Sequence, residues 1–187
     1  MIETTLRVCT FKGLQNLPLY VAMQQGFFAM RGLRVEISYT AGSAPQIAGL
    51  ARGDYDLIQT APDNVIDANN NPAAFGLEGI SLLQSAGVRP HAPTAAGIVM
   101  VLGGSAGPLS LYARHGVATC DALRGAVLGV DNPTSGFALV LRDMLARYGL
   151  ALDADYAVAV AGGTSSRFDA LRAGTVTATL LYAPFDA

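Results

Sequence analysis

The chain has 187 residues, 51% of them hydrophobic and 14% charged, with a formal net charge of −2. That length suits one large domain or two small lobes, and the apolar content supports a folded core rather than a disordered chain. The Arg residues and the single Lys, Lys12, are scattered rather than gathered in a stripe, which argues against a nucleic-acid partner. No stretch of about 20 residues lacks charges and turn formers, which argues against a membrane span.

The first residues, Met1-Ile2-Glu3-Thr4-Thr5, have neither a basic n-region nor a cleavable apolar h-region. The chain therefore reads as a mature or trimmed form, or as a protein that stays inside. Residues 5–11 (TLRVCTF) are strand-like, and residues 17–29 carry Pro18 in a helix's first turn, then apolar residues at helical spacing up to Gly32. Residues 33–39 alternate as a strand, residues 44–52 form a helix ended by Gly53, and residues 55–60 form a third strand. Residues 69–96 are poorly patterned, with the turn cluster Asn69-Asn70-Asn71-Pro72 and with Pro90 and Pro93. Residues 98–102 (IVMVL) read as a strand leading into a Gly-rich crossover, Gly103 to Pro108, which sets a first lobe at 1–102 and a second at 103–187.

The second half repeats the order. Residues 127–130 are a strand, 135–148 a helix ended by Gly149, 156–160 a strand, 165–173 a helix ended by Gly174, and 177–182 a strand. At a constant offset of 121, Gly42-Ser43 matches Gly163-Thr164, Leu50 matches Leu171 and Gly53 matches Gly174. An internal repeat follows, and with it an α/β fold of two lobes, each a β-α-β-α-β unit with a mainly parallel sheet.

In such sheets ligands bind beyond the carboxyl ends of the strands. The candidate binding residues there are Lys12, Asn16, Ser43, Ala44, Thr60 and Asp63 in the first lobe. In the second they are Thr134, Ser135, Gly163, Thr164 and Tyr182, with Ser110 just beyond the Gly-rich crossover. Small residues with hydroxyls or amides at helix starts leave N–H groups free to hold a carboxylate, a sulfonate or a polar heterocycle. Any single hydroxyl here has a plainer role as an N-cap; six strand ends decorated alike favour a ligand cleft. Lys12 suits an anion, and Asp63 suits a ring amine. Cys9, Cys120, His91 and His115 are isolated, so no metal and no cofactor is expected. Enzyme chemistry has little to work with: no Ser or Cys has a His partner, Lys12 is the sole lysine for a Schiff base, and the paired acids Asp63 and Asp186 are more simply ligand or capping groups.

Residues 10–22 (TFKGLQNLPLYVA), followed by Gln25-Gly26-Phe27-Phe28 and Gly32-Leu33-Arg34-Val35-Glu36, resemble the opening of ABC-transporter solute-binding proteins of the nitrate/sulfonate/taurine and thiamine-pyrimidine type. Ala51-Arg52-Gly53-Asp54-Tyr55-Asp56-Leu57, Leu123-Arg124-Gly125 and Leu171-Arg172-Ala173-Gly174 are similar in kind and order. The resemblance implies a type II periplasmic-binding fold that closes on a small molecule, an ABC permease as partner, and a periplasmic or other extracytoplasmic location. Family members continue with a segment that returns to complete the first lobe, and its absence after Ala187 implies exposed apolar surface and self-association. Two other readings stand beside this one: a cytoplasmic ligand-sensing domain, and an enzyme like the thiamine-pyrimidine synthases, whose cysteine-rich motif is missing here.

Overall fold

In the computed structural model, residues 3–77, 97–103 and 109–185 are described. The chain divides into two units, Met1–Ser105 and Ala106–Ala187. The first is built on β1 (Thr4–Thr10), α1 (Leu17–Gln24), β2 (Leu33–Tyr39), α2 (Ser43–Arg52), β3 (Leu57–Ile58) and α3 (Pro62–Asn70). Its sheet has the order β2-β1-β3, and both pairings are parallel.

Several expectations for this unit need correction. The helix expected over 17–29 stops at Gln24, because Gly26 turns left-handed at φ 72° and a 3-10 turn, Ala29–Arg31, carries the chain on. Its apolar spacing does not reflect burial: α1 has no buried residue, and Leu17, Val21 and Met23 are exposed. The third strand shrinks from six residues to two, since only Leu57 and Ile58 pair with β1. Residues 62–64 belong to a helix rather than a loop; Pro62 opens α3, Asp63 lies in its first turn, and Val65 and Ala68 are buried three residues apart.

The strand expected over 98–102 does not form. Ile98 is buried with Ile47, Val65, Ala68, Phe75 and Leu77, whereas Val99 to Leu102 are exposed. Asn69 holds Gly97 and Ile98 in place: its Oδ1 accepts from both backbone N–H groups, and its Nδ2 donates to the Ile98 carbonyl at 2.7 Å. A β-branched run favours extended backbone, but a strand also needs a ladder partner, and among the described residues none pairs with it. The expectations for 78–96, for Gly104 to Pro108 and for Asp186 lie outside the described residues.

The second unit comprises β4 (Ser110–Ala113), β5 (Val127–Val130), α4 (Gly136–Ala146), β6 (Ala157–Val160), α5 (Thr164–Ala173) and β7 (Ala178–Leu181). Its sheet order is β4-β7-β5-β6, parallel except for β4, which runs antiparallel to β7. β4 was not foreseen; flanked on both sides, β7 buries all four of its residues. Leu128, Leu141, Leu145 and Leu150 form the centre of the core. Cys9 is buried, while Cys120 is half-buried at the edge of this second core. Among the described residues no helix is long and apolar enough to cross a membrane.

The repeat has a close structural counterpart. α2 and α5 start 121 residues apart, at Ser43 and Thr164, and stop 121 apart, at Arg52 and Ala173. Each is closed by a left-handed glycine, Gly53 at φ 80° and Gly174 at φ 76°. Strand pairing follows suit: Val8 pairs with Ile37 and Leu57, as Leu128 pairs with Val158 and Ala178. The first strand alone slips one residue from the 121 register.

Candidate functional site

Parallel pairing puts the carboxyl ends of β1, β2 and β3 at one edge of the first sheet, where a polar network has formed. The Thr10 hydroxyl stands 2.7 Å from Asn16 Oδ1 and 2.9 Å from Gln59 Oε1, and its one proton serves either. Asn16, fully buried, donates through Nδ2 to the Phe11 carbonyl at 2.7 Å. Its amide is therefore spent on holding the turn after β1. Gln46, on the second turn of α2 and also fully buried, donates to the carbonyls of Cys9 and Gln59 at 3.0 and 3.1 Å. The buried Oε1 atoms of Gln15 and Gln46 have no partner among the described residues, so this network has acceptor capacity left over.

Lys12 is exposed, its Nζ 5.8 Å from the centre of the Tyr39 ring, and the Tyr39 and Tyr20 hydroxyls share a 2.6 Å hydrogen bond that raises the Tyr39 pKa. Ser43 and Ala44 open α2, whose N-cap is Gly42; no side chain caps it. Thr60 Oγ1 accepts from Asn64 Nδ2 at 3.0 Å, and Asp63 is half-buried.

The second unit repeats the layout with different chemistry. After β5, Asn132 Oδ1 accepts from the Thr134 backbone N–H and hydroxyl, both at 3.0 Å, leaving Thr134 exposed. Ser135 is a true cap: its Oγ accepts from Ala138 N at 3.2 Å and donates to Asp131 at 2.6 Å. After β6, Gly163 precedes α5, which also lacks a side-chain cap. After β7, the Tyr182 ring stacks on Phe137 with centroids 6.3 Å apart. Antiparallel β4 brings its first residue, Ser110, opposite Leu181 at this same edge. Ser110, however, lines a shallow apolar hollow of about 360 Å³ with Cys120, Met144 and Tyr148, and none of the other candidates lines it.

Sequence reasoning missed Arg167. Only 2% exposed, it donates from Nη1 to the Gly162 carbonyl at 3.0 Å, and from Nη2 to Thr164 Oγ1 and the Leu180 carbonyl, both at 3.3 Å. Its guanidinium lies 5.3 Å from the Phe137 ring centre. Burial lowers its pKa, and Asp131 and Tyr182 partly oppose that through space. A signal for it was present in the repeat, since Arg167 stands 121 residues after Gln46. Among the described residues no group of three or more His, Cys, Asp or Glu can hold a metal ion.

The profile of the NMT1-like family matches residues 2–187, nearly the whole length. The chain belongs to the NMT1-like family. No curated protein matches it by sequence. Among solved structures it is similar to the periplasmic nitrate-binding protein NrtA from Synechocystis PCC 6803, at 13% identity and a TM-score of 0.68 over 98% of this chain and 48% of that one. It is also similar to the alkanesulfonate-binding protein SsuA from Xanthomonas axonopodis pv. citri bound to MOPS, at 18% identity and a TM-score of 0.61, covering 100% and 57%. The periplasmic aliphatic sulphonate binding protein SsuA from Escherichia coli follows at 17% identity and 0.53, covering 98% and 55%. This NMT1-like chain thus has the periplasmic-binding fold and spans about half the length of these structures.

Proposed function

We propose that the chain binds a small organic solute, without transforming it, and hands it to an ABC-type permease outside the cytoplasm. The observation that carries this reading is the repeated layout of the sheet edges. In both units polar strand ends converge at the carboxyl edge, and the helix leaving β2 in one and β6 in the other, α2 or α5, starts without a side-chain cap. Uncapped first-turn N–H groups are ready donors for a ligand's polar atoms. Each unit is read by itself: the candidate contact residues are Lys12, Ser43, Ala44, Thr60 and Asp63 at the edge of the first, and Thr134, Gly163, Thr164 and Tyr182 at the edge of the second. Asn16 and Ser135 act by shaping their turns. The proteins of similar fold are named for binding nitrate and sulfonates, and this supports the same class of role.

The test is mass spectrometry of small molecules released from natively purified chain, with calorimetric titration of MOPS and nitrate. A stoichiometric co-purifying solute, or saturable binding of a probe, is expected. A chain that releases no solute and binds neither probe would sink the reading.

A further inference from the structure

The end of β1 gathers four side-chain amides whose donors and acceptors do not balance. Each NH2 group is held by backbone carbonyls. Asn16 Nδ2 donates to Phe11 at 2.7 Å, Gln15 Nε2 to Phe11 at 3.1 Å, Gln59 Nε2 to Gln15 at 3.2 Å, and Gln46 Nε2 to Cys9 and Gln59 at 3.0 and 3.1 Å. Turning any of these amides over would set its oxygen against a carbonyl oxygen, so the carbonyls fix their orientation. Four amide oxygens remain, and among the described residues the Thr10 hydroxyl is the one group that offers them a proton.

The shortage is sharpest at Thr10 itself. Its Oγ1 stands 2.7 Å from Asn16 Oδ1 and 2.9 Å from Gln59 Oε1, and its single proton can lie on only one of these two lines. The other is a bare oxygen–oxygen contact, which repels unless something positive lies beside it. Thr10 and Asn16 are fully buried, as is Gln46, whose Oε1 adds a further acceptor without a donor. Gln15 and Gln59 are half-buried, which puts the cluster one side chain away from solvent. Oxygens at this depth are out of a solute's reach, whereas a single dehydrated ion needs only those two glutamines to give way.

We propose that this cluster binds a small monovalent cation, sodium or potassium, through Thr10 Oγ1, Asn16 Oδ1 and Gln59 Oε1, with solvent completing the shell from the half-buried side. Neutral carbonyl and hydroxyl oxygens replace the hydration shell of such an ion. A divalent ion is ordinarily held by carboxylates, and none belongs to this network. The first turn of α2 adds positive potential nearby, so binding is weak and shows as a response to the salt chosen. Bound there, the ion ties the turn after β1 to the end of β3. The inference concerns the first unit alone and stands whether or not the chain carries a solute.

The experiment is native-state hydrogen exchange of the whole chain in sodium, potassium or tetramethylammonium chloride at one ionic strength, the last cation being too large for the cluster. The Asn16 and Gln59 amides, bonded to the Gly13 and Cys9 carbonyls, report on the first unit, and the second unit is the internal control. In sodium or potassium their protection should double when the cation reaches its dissociation constant and rise in proportion beyond it, with no rise in tetramethylammonium. Thr10→Val removes one ligand oxygen and should abolish that rise. Thr10→Ser keeps the hydroxyl and should bind the cation within about threefold of wild type. Gln59→Glu puts a carboxylate on the ion and should tighten binding about tenfold. That gain is the decisive sign if Thr10→Val fails to fold, since a cluster completed by water alone would only be weakened by a buried charge. Equal protection in all three salts overturns the inference and leaves water as the occupant. A rise that survives in Thr10→Val, or no gain in Gln59→Glu, overturns it as well.

Discussion

The helices that follow β1 and β5, α1 and α4, hold equivalent places in the repeat and are packed differently. α4 buries Ala138, Leu141 and Leu145, whereas α1 buries nothing and leaves Leu17, Val21 and Met23 exposed. The sheets differ in the same direction. β7 has β4 along its outer side and is wholly buried; β3 has no outer neighbour among the described residues, and Leu57 is exposed. Where the second unit has Val127 and Thr177, joined by a backbone bond of 2.7 Å, the first has Arg7 and Asp56, joined by the same backbone bond at 2.9 Å and by a two-pronged side-chain ion pair. One chain trace is thus stabilised twice by different means. Both units have an apolar core, the second the larger, and at this point of the trace the first adds an exposed ion pair, which contributes little.

The largest effect that would test this contrast is Leu141→Ala, which should cost about 2–5 kcal/mol because a fully buried leucine leaves a cavity. Val21→Ala on α1 should change stability by no more than about 0.5 kcal/mol. Native-state hydrogen exchange, which reads each unit separately, is the measurement. A comparable loss in Val21→Ala would mean that α1 is covered in solution, and a sedimentation mass rising with concentration would name a second copy as the cover.

A smaller effect concerns an exchange of volume. A Cβ on Gly49 would stand 2.5 Å from Tyr55 Cε2, while the second unit has Ala170 and Val176 at the matching positions. Gly49→Ala gains about 1 kcal/mol of helix propensity and loses about 1–3 kcal/mol to overpacking, for a net loss between about 0 and 2 kcal/mol. Adding Tyr55→Val imports the second unit's pair and should recover most of it. A double variant no better than the single one would show that the two units are not interchangeable here.

The smallest effect is on the acid side. The Arg7 side chain, and then its backbone N–H, hold the Asp56 carboxyl down to about 2 from its ordinary 3.8. A lowered folded-state pKa means that the stabilisation is present above the unfolded value and is lost as pH falls from there through about 2. Asp56→Asn should flatten that limb in the first unit and leave the second unchanged, as read by exchange over the same pH series. An unchanged limb would show that the pair contributes nothing.

Much of this architecture was legible because it is written locally. Helical spacing between Gly42 and Gly53, repeated between Gly163 and Gly174, needs only backbone physics: glycine takes the left-handed conformation that ends a helix, and the same residues say so in both halves. The candidate edges were legible for a related reason, since parallel order alone puts the carboxyl ends of strands together. What the sequence left open depended on distant partners. Residues 98–102 have every local property of a strand and pair with none among the described residues, while Ser110–Ala113, with no strong pattern, becomes β4 because β7 offers it a ladder. Arg167 reads as a surface residue on any helical wheel of polar α5, and only the fold buries it against the end of β7. Pairing and burial are properties of two segments at once, so the hydrogen-bond partner and the lost solvent that decide them come into being only when the chain has closed on itself.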